Sequence, residues 1–217
     1  MDNHDNPTDI ARVHCLVTAG ATIEPIDEVR RLTNHSTGRL GCLLADSLQE
    51  SGHQVTLLLS SSAQFHPQKR GIKVSPFTTS NELGELLQQH VDRPPQAIFH
   101  VAAVSDFTVS NRTTGKIKSG NALTLELTPA PKLIQEFRSW YPESHLIGWK
   151  YEVEGNAETA LEAGRRQLAD CQTNACVVNG PAYGTGFGVV QPEEEVIPCD
   201  DEAILFQTME QIITSPQ

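Results

Sequence analysis

The feature that most constrains the fold is a long polar connection between a predicted strand and a predicted helix. Residues 13–17 form an apolar run typical of a buried strand, and residues 39–50 carry a helical pattern that Gly52 ends. Residues 18–41, TAGATIEPIDEVRRLTNHSTGRLG, connect the strand to the first turn of the helix. Connections in α/β units usually run about 2–6 residues, so a connection this long is usually functional or disordered.

The composition of residues 18–41 is not that of a disordered segment, because it mixes buriable apolar residues with paired charges. The segment starts at the carboxyl end of a first strand, where α/β sheets bind ligands. Ser36, Thr37 and Gly38 directly precede a helix, whose free N–H groups and dipole attract anions. The spacing alone fits a structured Ω-loop equally well. The dinucleotide-binding glycine pattern and the Walker loop are both absent.

The rest of the chain alternates continuous apolar runs with helical patterns, which indicates an α/β fold with a Rossmann-like, doubly wound, mostly parallel sheet. The predicted strands are 54–59, 72–77, 96–104, 145–153, 175–178 and an edge strand at 195–197. The predicted helices are 81–91 (with Ser80 as N-cap), 131–140, 157–168 and 203–213. Residues 123–127 alternate as a half-exposed strand does. We expect one domain over residues 1–217, with a flexible N-terminal segment 1–11 and a mobile excursion at about 105–122, called the flap below.

Charge and composition exclude several functional classes. The formal charge of −11 disfavours a nucleic-acid partner, which needs a basic face. No apolar run approaches the roughly 18 residues of a membrane span, and the polar N-terminal residues do not have the pattern of an export signal. The five cysteines form no CxxC pair, and Cys15, Cys42 and Cys176 lie in apolar runs, as small core residues do. These features predict a cytoplasmic protein.

Four further segments are candidates for a site, and each has a plainer interpretation. Residues 101–107, VAAVSDF, place small residues and Asp106 just past a strand end, although this aspartate could simply cap a turn. Residues 114–120, TGKIKSG, would form a cationic flap able to close on phosphate, or else a solvated loop. Residues 148–152, GWKYE, could wall a nucleotide base, or contribute a core tryptophan. The glycine-rich residues 179–188 could form a loop over the site, or a turn. The eight histidines have no zinc-ligand spacing.

In this order, the pieces resemble the phosphopantothenoylcysteine synthetase family, also called phosphopantothenate–cysteine ligase, in its stand-alone form. Residues 18–41 are close to the family pattern TAG-T-EPID-VR--TN-SSG--G, and AAVSDF, KIKS, LTLELTPAPKLI, GWKYE and VVN support it. The resemblance runs from about Val13 to Ile213. Each motif alone is weak, and the joint occurrence carries the assignment.

The resemblance implies a ligase of coenzyme A biosynthesis. CTP or ATP would activate the carboxylate of 4′-phosphopantothenate as an acyl-nucleotidylate with release of pyrophosphate, and the amine of cysteine would then form the amide. The family uses Mg²⁺ and forms homodimers through a small strand-rich appendage, to which residues 123–127 could belong. The substrates are small molecules, with neither nucleic acid nor membrane as a partner.

The resemblance also implies roles for individual residues. Asn34 would hold the acyl intermediate, and Lys116 would be the catalytic lysine of the flap that also contacts nucleotide. Asp106 would lie at the nucleotide and Mg²⁺. The other implied nucleotide contacts are Ala103, Lys132, Leu133, Ile134, Trp149 and Arg166. The implied contacts to substrate phosphate and acyl group are Gly20, Asn34, Ser36, Thr37 and Gly38.

The chain also departs from the family pattern. Arg165 and Arg166 stand about where the family has lysines, Gly180 follows Asn179 where bacterial members have aspartate, and Ala21 replaces a common Gly or Pro. The choice between CTP and ATP therefore stays open, and so does a diverged relative that acts on another acid or lacks ligase activity. A non-enzymatic nucleotide-binding module is a further alternative. A short-chain dehydrogenase would need a Tyr-x-x-x-Lys pair, which none of the three tyrosines provides.

Overall fold

A computed structural model describes residues 12–120 and 122–215. In chain order its elements are β1 (His14–Ala19), β2 (Ile23–Pro25), β3 (Arg31–Thr33), α1 (Arg39–Glu50), β4 (Gln54–Ser60), β5 (Lys73–Phe77), α2 (Ser80–Gln88), β6 (Ala97–His100), β7 (Phe107–Val109), β8 (Leu127–Pro129), α3 (Leu133–Trp140), β9 (His145–Tyr151), α4 (Ala157–Cys171), β10 (Ala175–Asn179), β11 (Phe187–Val190), β12 (Ile197–Cys199) and α5 (Glu202–Thr214). The predicted flexible segment 1–11 lies outside the described residues.

An eight-stranded sheet forms the centre of the molecule, in the order β12-β11-β10-β9-β6-β1-β4-β5. From β10 to β5 all neighbours are parallel, and β11 and β12 continue the sheet antiparallel. The predicted Rossmann-like, mostly parallel sheet is therefore confirmed. None of the helices in the described ranges combines the length and apolar character that a membrane crossing requires.

Both faces of the sheet are buried, which explains why its strands read as continuous apolar runs. On one face Cys15 and Val17 of β1 pack with apolar residues of α1 and α5. On the other face Leu16 packs with residues of α2 and α3, including Phe137. A third cluster lies under α4. All five cysteines are buried and free, so the core assignment of Cys15, Cys42 and Cys176 is confirmed. Burial also raises the pKa of the Cys15 and Cys42 thiols, which keeps them protonated.

Several predicted boundaries need correction. The N-cap of α2 is Thr79 and not Ser80, because Thr79 forms a reciprocal capping box with Glu82. The predicted strand 123–127 has the wrong bounds, because the strand runs over Leu127–Pro129 and pairs with β7. The strand β11 was not predicted, because glycines at its start disguise it as a loop.

Two antiparallel hairpins stand outside the main sheet, β2–β3 and β7–β8. The first lies within the connection that was expected to be a loop, and the second brackets the flap. Antiparallel hairpins beside the main sheet are therefore present, and the second includes Leu127 of the segment 123–127 that was assigned to a strand-rich appendage.

Candidate active site

A cavity of about 1020 Å³ opens at the carboxyl ends of β1, β6 and β9. The chain leaves β1 and β6 in different directions, so the cavity sits at the crevice where α/β sheets bind ligands. It brings together most of the predicted site residues, namely Gly20, Asn34, Ser36, Thr37, Gly38, Ala103, Asp106, Lys132, Leu133, Ile134 and Trp149. Lys116 and Arg166 do not line it.

Glycines let the start of α1 approach the end of β1. Gly20 and Gly38 have φ angles of 86° and 79°, in the left-handed region that other residues rarely adopt. A Cβ on Gly41 would lie 2.5 Å from the Cβ of Ala19, so a larger residue would push the helix away. The N-cap of α1, Gly38, has no side chain to cap the helix, and the N–H of Arg39 makes one long bond, to Thr37 Oγ1 at 3.4 Å. Residues 36–41 line the cavity. The helix start is therefore suited to an anionic group.

Backbone hydrogen bonds join the two loops that form the cavity wall. Ala21 and Ala103 form a parallel bridge beyond the ends of β1 and β6. The N–H of Ala103 donates to Gly20 O at 2.9 Å, and that of Thr22 donates to Ala103 O at 3.2 Å. Asn34 Nδ2 donates to Val104 O at 3.3 Å, so its amide is aimed across the same wall. The wall is fixed before any ligand arrives.

The cavity is cationic, although the protein carries a formal charge of −11. Its lining includes four basic residues, Arg31, Arg39, Lys132 and Lys150, and one carboxylate, Asp106. Arg39 is bound to Glu202 of α5, with Nη2 donating to Oε2 at 3.0 Å, so its charge is offset. Lys150 is paired in the same way with Glu152, Nζ to Oε1 at 3.4 Å. Arg31, Lys132 and the helix start therefore outweigh the single carboxylate of Asp106, and this small excess of positive potential favours anionic ligands.

A metal ion could use Asp106, which is exposed at the cavity rim. Residues 12–120 and 122–215 contain no cluster of three or more metal-binding side chains. This composition fits Mg²⁺, because Mg²⁺ commonly binds through one or two carboxylates together with water and substrate phosphates.

Lys116 does not line the cavity, and its segment lies beside the turn of the β2–β3 hairpin. Backbone bonds join the flap to this hairpin, from Glu28 N–H to Gly115 O at 3.2 Å and from Thr113 N–H to Ile26 O at 3.2 Å. Ile117 N–H donates to Asp27 Oδ2 at 3.0 Å. This bond, with those from the N–H groups at positions 29 and 30, holds the pKa of Asp27 well below its ordinary value.

The α3 side of the cavity is more apolar. Leu133 and Ile134 begin α3, and Trp149 lines the cavity while also packing on the main core. A smaller adjoining cavity of about 230 Å³ contains Arg166 and shares Lys132 and Lys150 with the first. Arg166, a predicted nucleotide contact, therefore lies beside the main cavity and not in it.

Sequence reasoning missed several lining residues. Ser62 and Gln64 line the cavity and are held there by hydrogen bonds, from Ser62 N–H to Ser60 Oγ at 3.2 Å and from Gln64 N–H to Thr37 O at 3.0 Å. His100 was missed because it reads as part of an apolar strand. The glycine-rich residues 180–188 do not line the cavity, and they form a turn at 181–183 that leads to the start of β11. The one sequence signal for Ser62, Gln64 and His100 is their position near the carboxyl end of a predicted strand.

Fold and cavity together define an α/β protein with a cavity suited to anionic ligands at the carboxyl edge of a mostly parallel sheet. The family model for the DNA/pantothenate metabolism flavoprotein C-terminal domain matches residues 10–212. The chain belongs to this family.

Similar proteins give this assignment a context. The chain is 34% identical over 175 residues to the coenzyme A biosynthesis bifunctional protein CoaBC of Thermococcus kodakarensis, covering 80% of this chain and 43% of that protein. The chain thus spans less than half the length of that relative. The crystal structure of the DNA/pantothenate metabolism flavoprotein from Streptococcus pneumoniae has a TM-score of 0.79 and 26% identity, covering 91% and 97% of the two chains. A Cab2 variant in complex with phosphopantothenate-cysteine shares the fold, with a TM-score of 0.77 and 20% identity over 93% of this chain and 85% of the other.

Proposed function

We propose that the chain is a phosphopantothenate–cysteine ligase of coenzyme A biosynthesis. The observation that carries the proposal is the cationic cavity of an acidic protein, walled by the family's 18–41 connection and by the residues after β6. Support comes from the family and from a relative named for coenzyme A biosynthesis. A protein of the same fold binds phosphopantothenate-cysteine.

The reaction has two steps. The carboxylate of 4′-phosphopantothenate attacks the α-phosphorus of CTP or ATP, which forms the acyl-nucleotidylate and expels pyrophosphate. The amine of cysteine then attacks the acyl carbon, the nucleoside monophosphate leaves, and the amine loses a proton. The site must exclude water from the mixed anhydride and stabilise the charge that develops on its oxygens.

The residues of the cavity suit these demands. The Asn34 amide would donate to an acyl or phosphate oxygen, with its orientation set by Val104 O. The start of α1, with Ser36, Thr37 and Gly38, would bind a phosphate. Lys132 and Arg166 would bind the triphosphate, and Ala103, Leu133, Ile134 and Trp149 would contact the nucleotide. Mg²⁺ at Asp106 would neutralise phosphate charge when bound.

Lys116 would contribute only after a movement of the flap. Its segment is held by backbone contacts to residues 26–28 and by Asp27, and Lys116 itself is exposed. We expect the flap to carry this lysine over the anhydride once both substrates are bound, which also excludes water.

A direct assay tests the proposal. The protein is incubated with 4′-phosphopantothenate, cysteine, Mg²⁺ and either CTP or ATP, and pyrophosphate and the amide product are measured. Both products should form with one of the nucleotides. No pyrophosphate from either nucleotide would reject the ligase, and nucleotide binding without product would favour a non-enzymatic binding module. Thermal-shift ranking of CTP against ATP would identify the preferred nucleotide.

The assembly and compartment form part of the same proposal. Phe107, Leu123, Leu125 and Leu127 lie on or beside the β7–β8 hairpin with 38–52% of their surface exposed. An apolar strip of this kind suits a homodimer contact. Five buried free cysteines suit the reducing cytoplasm. Light scattering should give a dimer mass for the wild type, and Phe107→Glu should reduce it to a monomer.

A further inference from the structure

His100 occupies the floor of the cavity, where β6 ends. It is 8% exposed and pairs in register with Thr18 of β1 and with Gly148 of β9. Its ring meets Phe137 edge-on, with the centroids 4.9 Å apart. The place that a side chain would take at Gly148 is filled by Ile134 and Gln167, and His100 lines the cavity together with these two residues.

The hydrogen bonds of Thr18 determine which nitrogen of His100 carries the proton. Thr18 is fully buried, and its Oγ1 accepts the N–H of Ala102 at 3.2 Å. The same Oγ1 lies 3.0 Å from His100 Nδ1. Among the described residues, Thr18 Oγ1 has no third side-chain or backbone partner. The hydroxyl proton can therefore be satisfied only by donation to Nδ1, which must then be unprotonated.

The proton of the neutral ring then lies on Nε2. Within residues 12–120 and 122–215, Nε2 has no hydrogen-bond partner. Four unpartnered side-chain polar atoms there are shut off from solvent, and Nε2 is not one of them, so it keeps some accessible surface. A donor that is neither satisfied nor sealed faces the cavity. Burial lowers the pKa of His100 to about 4, so the ring stays neutral at neutral pH.

We propose that His100 presents its Nε2–H to an acceptor atom on the base of the bound nucleotide, while its Nδ1 holds Thr18 and thereby the Ala102–Ala103 wall. This inference rests on the proposed function. The base, rather than a phosphate, is the partner because the surroundings of the ring are apolar. Leu133 and Ile134 lie across the same part of the cavity, and a neutral donor suits a ring carbonyl or ring nitrogen. His100 would thus be a specificity-determining residue.

The two nitrogens can be separated by substitution. In His100→Asn, the Oδ1 atom can take the place of Nδ1 and accept from Thr18, while the donor at Nε2 is lost. In His100→Gln, an amide nitrogen can reach the place of Nε2, while Thr18 loses its acceptor. The dissociation constant of the preferred nucleotide should rise about tenfold in His100→Asn, as for loss of one neutral hydrogen bond, with little change in melting temperature. His100→Gln should keep nucleotide affinity within about threefold and lose thermal stability.

A measurement on the wild-type protein keeps the test independent of folding of the variants. With nitrogen-15 at histidine, long-range proton–nitrogen correlation spectra distinguish the two neutral tautomers, and loss of the signal in either variant assigns it to His100. The Nε2–H tautomer is expected, with its Nε2 signal shifting as CTP or ATP is added with Mg²⁺. An Nδ1–H tautomer would overturn the proposal. So would a nucleotide that shifts the Trp149 indole signal but leaves His100 unchanged. If neither nucleotide shifts any signal, the proposed function fails and this inference fails with it.

Discussion

The cavity is built from two long connections at the same edge of the sheet, and they are fixed in opposite ways. In the β1–α1 connection, Ala21, Thr22, Ile23 and Glu24 are buried, and bonds to strands on both sides hold the backbone. In the β6–α3 connection, none of residues 106–120 and 122–129 is buried. The first part of one connection, residues 20–27, therefore belongs largely to the core, whereas the long middle part of the other, residues 106–120 and 122–129, is an attached surface segment.

This difference separates two tasks of the proposed ligase. Backbone amides and the Asn34 amide must already be in place when charge develops, because preorganised donors need no rearrangement during the reaction. The catalytic lysine must let substrates enter and must then cover them, so it belongs on a segment with few buried contacts. Asp27 joins the two, since it anchors both the hairpin turn and Ile117.

Removing the donor of the fixed connection should have the largest effect. Asn34→Ala should lower the rate of amide formation about 10²- to 10³-fold, as loss of a preorganised donor does. Asn34 is exposed, so the melting temperature should change little. Pyrophosphate and amide are measured together, because faster pyrophosphate than amide release would show that the intermediate leaks. Asn111→Ala, in the flap, is the matched control and should keep wild-type rates. A wild-type rate in Asn34→Ala would reject the assignment.

Adding a methyl group to a glycine should destabilise the protein more in the packed β1–α1 connection than in the exposed flap. Gly41→Ala places a Cβ 2.5 Å from the Cβ of Ala19, and overpacking of this kind costs about 1–3 kcal/mol. We expect a drop of several degrees in the melting temperature, measured by calorimetry. Gly115→Ala is the control, because its Cβ meets no atom within 4 Å and strains only the flap. Equal losses in the two variants would contradict the comparison.

The sequence predicts the packed parts of this molecule well, and the reason is periodicity. Helix α1 was predicted with its observed bounds, Arg39–Glu50, because its apolar stripe and the glycine after it are local signals. The parallel strands were visible as apolar runs because both faces of the sheet are covered. The wall residues Gly20, Asn34 and Ala103 were found through family motifs, and the structure brings them into one cavity.

What the sequence could not give depends on contacts between distant segments. The hairpin β2–β3 is too short for a periodic signal, and its turn is fixed by Asp27 rather than by glycine. The position of Lys116 outside the cavity depends on contacts with residues 26–28. His100 was missed because its role depends on Thr18, which is adjacent in the sheet but far away in the chain.

In the surface segment, removing one charge should have a smaller effect. Lys116→Gln should lower the rate of amide formation about tenfold, because one charged hydrogen bond to the intermediate is lost. The dissociation constant of the nucleotide, measured by calorimetric titration, should change less than the rate. Lys118→Gln removes the same charge two residues away and should stay within about twofold of the wild type. Equal losses in both variants would indicate a general charge effect of the flap.

The smallest effect on the rate should come from loosening the link between the two regions. Asp27→Asn keeps one acceptor oxygen but turns the partner of Arg30 and Ile117 into a neutral amide. The flap should then detach more often, which hydrogen exchange at Ile117 would record as faster exchange, while the rate of amide formation falls only a few-fold.

The pKa of Asp27 is lowered in the folded protein, so its stabilisation is fully present above the unfolded pKa of about 3.9 and is lost as the pH falls below it. In the wild type, protection of Ile117 relative to core amides should therefore decline below about pH 4, and in Asp27→Asn this decline should be absent. Because the carboxylate is the only group changed, an identical decline in both proteins would show that some other group attaches the flap.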